Sequence, residues 1–103
     1  MQGYLLKYRF LEGTLFNSSQ WVRNFFSLKN QILQFYDEKQ KKSTFGQIHM
    51  AISMVLPEQP GDSDCDIRID TGLVELRIRA MNIKDKIDWL NALNRSKKEA
   101  QKP

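Results

Sequence analysis

From Gly3 to Ala80 the apolar side chains recur largely with the two-residue period of a strand, and after Asn82 the spacing lengthens to that of a helix. That single switch constrains the fold more than any other feature. It calls for a run of short strands followed by one helix. The clearest alternation is Gly46–Leu56, where Ile48, Met50, Ile52, Met54 and Leu56 are expected on one face and Gln47, His49, Ala51, Ser53 and Val55 on the other. Its length leaves room for two strands joined by a bend. Upstream, residues 3–11, 21–28 and 32–36 read as strands, with Val22, Phe26 and Leu28 sharing a side of the second. The first carries apolar residues on both parities: Tyr4, Leu6, Tyr8 and Phe10 on one, Leu5 and Leu11 beside Lys7 and Arg9 on the other. Its buried face stays ambiguous on periodicity alone.

Downstream, residues 65–70 and 73–80 alternate again, with Ile67 and Ile69 inward in one and Val74, Leu76, Ile78 and Ala80 in the other. Asp70-Thr71-Gly72 supplies a turn between them. The polar stretches 12–20, 37–44 and 57–64 read as loops, and Lys29-Asn30-Gln31 as a tight connection. Asn82 is placed to cap the helix, with Asp85 three residues on. Ile83, Ile87, Leu90 and Leu93/Asn94 form the helical stripe, with Trp89 and Ala92 beside it. The expected fold is mainly β with one helix. About seven antiparallel strands curl into a bent barrel or sandwich, and the helix, with Trp89 buried, caps an open end. The 103 residues suffice for one domain, with its core over about 2–96 and a polar C-terminal tail over 97–103.

Several function classes lack the residues they need. No phosphate-cradling glycine loop, nucleophile motif or metal-ligand spacing is present, so the reading is non-enzymatic, with no cofactor and no metal. His49 is the sole histidine and falls on the polar side of its strand. Cys65, the sole cysteine, reads as a small inward hydrophobe in a reducing compartment. The acidic run Glu58, Asp62, Asp64 and Asp66 lacks a calcium-loop spacing and reads as a solvated loop. No apolar run approaches the roughly 20 residues that span a bilayer. Neither a signal peptide nor a myristoylation signal is visible, since Gln2 follows Met1. Basic residues are not interleaved with exposed rings in a recognised pattern, so nucleic acid is not an expected partner.

The net charge of +4 arises wholly in residues 1–50, which hold seven basic and three acidic side chains, against nine of each in 51–103. A bias confined to one half points to a basic face and an anionic partner.

The order of motifs resembles the pleckstrin-homology (PH) domain family over roughly residues 2–96. Gly3-Tyr4-Leu5-Leu6-Lys7 matches that family's opening strand. Trp21-Val22-Arg23-Asn24-Phe25-Phe26-Ser27-Leu28 matches its second strand except in the basic stretch. Leu33-Gln34-Phe35-Tyr36, Gly46-Gln47-Ile48, Cys65-Asp66-Ile67-Arg68-Ile69, Leu76-Arg77-Ile78-Arg79-Ala80 and the helical Trp89 follow in order. The resemblance implies a bent seven-stranded barrel capped by the helix. It also implies Leu5 inside, with Lys7 and Arg9 emerging at the open end and Tyr4 and Tyr8 on the outer face.

Many members of that family hold phosphoinositide headgroups at the open end, through a lysine on the first strand and a pair of basic residues at alternate positions of the second. Converging cations supply charge-assisted hydrogen bonds to phosphomonoesters. Here Lys7 is present, but the second-strand positions are Val22 and Asn24, and Arg23 between them should point to the opposite face. The headgroup site implied is therefore Lys7, Arg9, Arg23, Asn24, Lys39, Lys41 and Lys42. Leu15 and Phe16 are candidates for insertion into a bilayer. The expected function is a peripheral membrane module in the cytoplasm. It would bind phosphoinositide or other acidic phospholipid at modest affinity, as a monomer. The alternative is a protein-interaction or scaffold domain that has lost lipid recognition, with Arg23 and Trp21 as contacts.

Overall fold

The structure, a computed structural model, describes residues 1–11, 18–37 and 46–101. Within them the chain forms β1 (Gln2–Leu11), β2 (Ser18–Lys29), β3 (Ile32–Asp37), β4 (Gly46–His49), a 3-10 turn (Met50–Ile52), β5 (Met54–Leu56), β6 (Asp66–Asp70), β7 (Glu75–Arg79) and α1 (Ile83–Ala100). All seven strands join one antiparallel sheet in the order β4-β3-β2-β1-β7-β6-β5. β1 is its pivot. It pairs with β2 from Gln2↔Ser27 to Leu11↔Ser18, but with β7 only at Leu6↔Arg79 and Lys7↔Ile78. The two halves thus share only a short stretch of β1. The edge strands β4 and β5 do not pair with each other, so the bent sheet is not closed. The hairpin between β2 and β3 turns through Asn30 and Gln31, both left-handed (φ 53° and 67°). Two such residues in a row match the twist of a two-residue hairpin.

The core lies in the fold of the sheet. Leu5, Phe26, Leu33, Ile69, Ile78 and Leu93 are among its fully enclosed residues. Leu5 inside resolves the ambiguity of β1 in the way the family resemblance implied. Trp89 is buried, with its ring edge-on to Phe26 at 6.4 Å between centroids, so α1 covers the sheet as expected. Asn82 caps the helix through its side-chain oxygen, which accepts from the Asp85 N–H at 2.8 Å.

Four expectations shift. The Gly46–Leu56 alternation breaks after His49. There the imidazole Nδ1 accepts from the Ala51 N–H at 3.1 Å and the Ser53 hydroxyl donates to the His49 carbonyl at 3.0 Å, winding Met50–Ile52 into a 3-10 turn. Ile48 and Met50 stay buried, but the turn flips the parity that follows. Ile52 and Met54 are exposed, Ser53 is buried and Val55 packs on the core. On α1 the buried stripe is Lys86, Trp89, Leu93 and Ser96, one residue behind the expected one, so Ile83 and Ile87 are about half exposed. Seating the large indole of Trp89 sets that rotation. The turn before β7 extends to Val74, whose carbonyl accepts from Thr71 N–H at 2.9 Å, leaving Val74 outside. Finally, α1 continues to Ala100, and Lys97 Nζ, expected in a solvated tail, donates to the Ser53 carbonyl.

Candidate functional site

Antiparallel pairing brings the end of β1, the start of β2, the end of β3, the start of β4 and the β6–β7 turn to one end of the sheet. Between β4 and the β6–β7 turn at that end opens a cleft of about 510 Å3. Phe35, Ile48 and Leu76 give it apolar walls, while Lys7, His49, Thr71, Glu75 and Arg77 bring polar groups. Lys7 reaches it because side chains two apart on a strand share a face, and Leu5 fixes that face as the inner one. Its ammonium lies 5.9 Å from the Phe35 ring centroid.

Of the other expected site residues, Arg23 and Asn24 do not line the cleft. Arg23 is exposed on the outer face, with its guanidinium 3.9 Å from the centroid of the Tyr4 ring. Asn24 has the inward parity but is only 3% exposed, and its amide donates to the Val22 carbonyl at 3.1 Å. Arg9 takes a strand position opposite Gln20. Lys39, Lys41, Lys42, Leu15 and Phe16 lie outside the described residues. Of Lys7, Arg23 and Asn24, the structure places Lys7 alone on the cleft. It adds Arg77 and His49, which the sequence did not single out for it.

The acidic run 58–66 is only in part the solvated loop expected: Glu58 and Asp64 are exposed, but the Asp62 and Asp66 carboxylates are enclosed. Asp66 is 3% exposed and opens β6 directly opposite Arg79. It accepts from Arg79 Nε at 2.5 Å, Arg79 Nη2 and Arg77 Nη2 at 3.2 Å each, while its side chain also accepts from the Ser63 N–H at 3.0 Å. Asp62 takes both the Nε and Nη2 of Arg68, at 2.9 and 2.6 Å, and lies 3.4 Å from Arg77. Arg68 and Arg77 face each other across β6 and β7, so the Asp62 carboxylate offsets a like-charge pair. Arg68 also bonds Glu75 at 2.7 Å. The guanidinium of Arg79 stacks 4.0 Å from the Trp21 ring, itself edge-on to Tyr8 at 5.4 Å.

These contacts shift proton affinity. Hydrogen bonds from Arg68, then from the Gln59 N–H, hold the Asp62 carboxyl well below the ordinary range. For Asp66, burial alone would raise it, but Arg79, the Ser63 N–H and Arg77 together outweigh burial and lower it. The network locks the hairpin that walls the cleft, and it engages Arg77 and Arg79 with carboxylates. One signal in the sequence pointed to it: Asp66, Arg68, Arg77 and Arg79 all share the outer parity of two adjacent strands. No group of three or more metal-binding side chains clusters among the described residues.

A bent antiparallel sheet, open between its edges and covered by a C-terminal helix with an inward tryptophan, defines the PH fold. The chain belongs to the PH domain family, whose family model matches residues 1–98. It is similar in structure to the N-terminal PH domain of human ARAP2, at 18% identity over 98% of this chain and 81% of that one, with a TM-score of 0.73. A pleckstrin homology domain solved in solution matches at 24% identity over 100% of this chain and 90% of that one, with a TM-score of 0.72. The C-terminal PH domain of pleckstrin, solved in complex with D-myo-Ins(1,2,3,5,6)P5, matches at 21% identity over 94% and 93%, with a TM-score of 0.70. At such identities the likeness shows the fold alone. No curated protein matches the chain. Among the described residues no helix is long and apolar enough to cross a membrane.

Proposed function

We propose that this domain is a non-catalytic, peripheral membrane-targeting module of the cytoplasm that docks on anionic lipid, phosphoinositide or another acidic phospholipid, at modest affinity. The observation that carries the reading is Lys7 on the cleft at the open end. Family membership supports it, because PH domains are known for binding phosphoinositides or proteins. Modest affinity follows from what stands beside Lys7. Val22 and Asn24 bring no charge, Asn24 is buried, Arg23 faces outward, and Arg77 is engaged with Asp66. Lys39, Lys41 and Lys42, with Arg9, are the further cations proposed to meet the lipid, and each cation near an anionic surface contributes about 1 kcal/mol.

Liposome co-sedimentation tests this, with neutral, phosphatidylserine, phosphatidic acid and phosphoinositide vesicles at low and physiological salt. Binding to every anionic vesicle that fades with salt is expected. Reversing a charge removes one attraction and adds one repulsion, so Lys7→Glu should weaken binding about tenfold or more. Unchanged binding of that variant would refute a site at Lys7.

A second reading, a protein-interaction domain, is favoured by one observation: Met81, Ile83 and Ile87 leave an apolar patch about half exposed at the start of α1. Arg23 and Trp21 on the outer face remain candidate contacts for that reading. Its test is a pull-down in which Ile83→Asp/Ile87→Asp or Arg23→Glu abolishes capture. Vesicle binding by the same variants at wild-type strength would separate the two surfaces.

A further inference from the structure

We propose that the β6–β7 turn is a membrane-inserting wedge, with Leu73 and Val74 entering the hydrocarbon edge of an anionic lipid surface while Lys7 meets its headgroups. The inference rests on the membrane reading above and names the apolar half of that contact.

Leu73 is 95% exposed, Val74 68% and Ile52 74%, and all three line the cleft that Lys7 lines. Single exposed apolar residues are ordinary, but these three line the same cleft as a cation. The turn that carries Leu73 and Val74 is braced. Thr71 N–H donates to the Val74 carbonyl at 2.9 Å, the Thr71 hydroxyl donates to the same oxygen at 2.8 Å, and Val74 N–H donates back to the Thr71 hydroxyl at 3.1 Å. Gly72 supplies the left-handed residue (φ 90°) that the turn requires. Leu73 is therefore held outward on a preorganised support, so little conformational freedom is lost when it inserts.

Charge decides the occupant. Two carboxylates flank the tip; the turn's own backbone holds one, and a guanidinium offsets the other. Asp70 Oδ1 accepts from the Gly72 N–H at 2.8 Å, and Glu75 pairs with Arg68 at 2.7 Å. The cleft thus carries both an apolar tip and the Lys7 cation, which together complement a bilayer surface: anionic headgroups over hydrocarbon.

Two variants test it. Leu73→Trp places a reporter at the tip, read against the Trp21 and Trp89 background of wild type. In phosphatidylserine vesicles its emission should shift to the blue and be quenched by lipids brominated high on the acyl chain. Leu73→Ser/Val74→Ser should lower partition into these vesicles about tenfold to hundredfold, from partial burial of two aliphatic side chains. That loss should be equal at low and physiological salt, unlike the loss from Lys7→Glu. Both positions are exposed, so an unchanged thermal midpoint confirms the fold in each variant. Should wild type bind vesicles while the double variant binds equally and the tryptophan is unquenched, the wedge is overturned and the electrostatic docking stands. Should wild type bind no vesicle, both are overturned.

Discussion

Replacing Asp66 by Asn keeps the shape of a buried side chain and removes its charge, which isolates what the carboxylate does. In the folded protein it accepts three guanidinium hydrogen bonds, from Arg79 twice and Arg77 once, and one from the Ser63 N–H. A hydrogen bond to a charged group contributes about 1.5–3 kcal/mol, but the Arg77 and Arg79 side chains are 25% and 30% exposed, so water screens their side of each pair. An asparagine also leaves one N–H2 turned against a guanidinium. The expected loss is about 2–3 kcal/mol, or roughly 10–20 °C in thermal midpoint for a domain of this size. Urea unfolding at pH 7 and pH 3 measures it. The Asp66 carboxyl is lowered from its ordinary value of 3.8 in the folded state. As pH falls past about 4 the unfolded chain takes up protons first. The stabilisation is therefore present at neutral pH and is lost as pH drops from about 4 downward through the folded value. Wild type should weaken across that window more than Asp66→Asn, and the gap between them should narrow. Equal urea midpoints at pH 7, or a gap that stays constant down to pH 3, would refute the idea that this ion-pair network stabilises the hairpin.

Trp89→Ala should cost about 3–5 kcal/mol by emptying the space between α1 and Phe26, and an unchanged thermal midpoint would count against the helix as the cover of the sheet. Gly46→Ala would bring a methyl group to 2.5 Å from two ring carbons of Phe35, whose ring is stacked on Phe26 at 5.2 Å, so a loss of about 1–3 kcal/mol is expected by thermal denaturation. A wild-type midpoint there would mean that the Phe35 ring moves aside freely.

The network also divides the basic residues by role. Arg68, Arg77 and Arg79 all hold carboxylates, so they add stability to the β6–β7 hairpin and little attraction for an anionic surface. The charge reversal that tests the proposed docking is aimed at Lys7 because it lines the cleft.

Much of the architecture was legible in the sequence because it depends on neighbours along the chain. The two-residue period of β2, β3, β6 and β7 needs only the pleat of a strand. The Asn82 cap needs only the N–H groups of the next turn, and the change of period marks where the sheet ends. Lys7 on the inner side was legible only through family resemblance, since β1 is apolar on both parities. What the sequence did not show is where contacts are long-range. His49 and Ser53 wind a 3-10 turn that reverses which residues of 52–55 are buried, and packing against α1 selects that outcome over a continuous strand. The rotation of α1 follows from where the sheet leaves room for Trp89, which exposes Ile83 and Ile87 and buries Lys86 against Glu58. Asp62 and Asp66 read as solvated because carboxylates in a polar run usually are. Only the pairing of β6 with β7 places three guanidinium groups around these two carboxylates, which offsets the cost of enclosing them. The alternation of side chains along the chain determines which strands and helix form; the register between strands distant in sequence decides which charges meet.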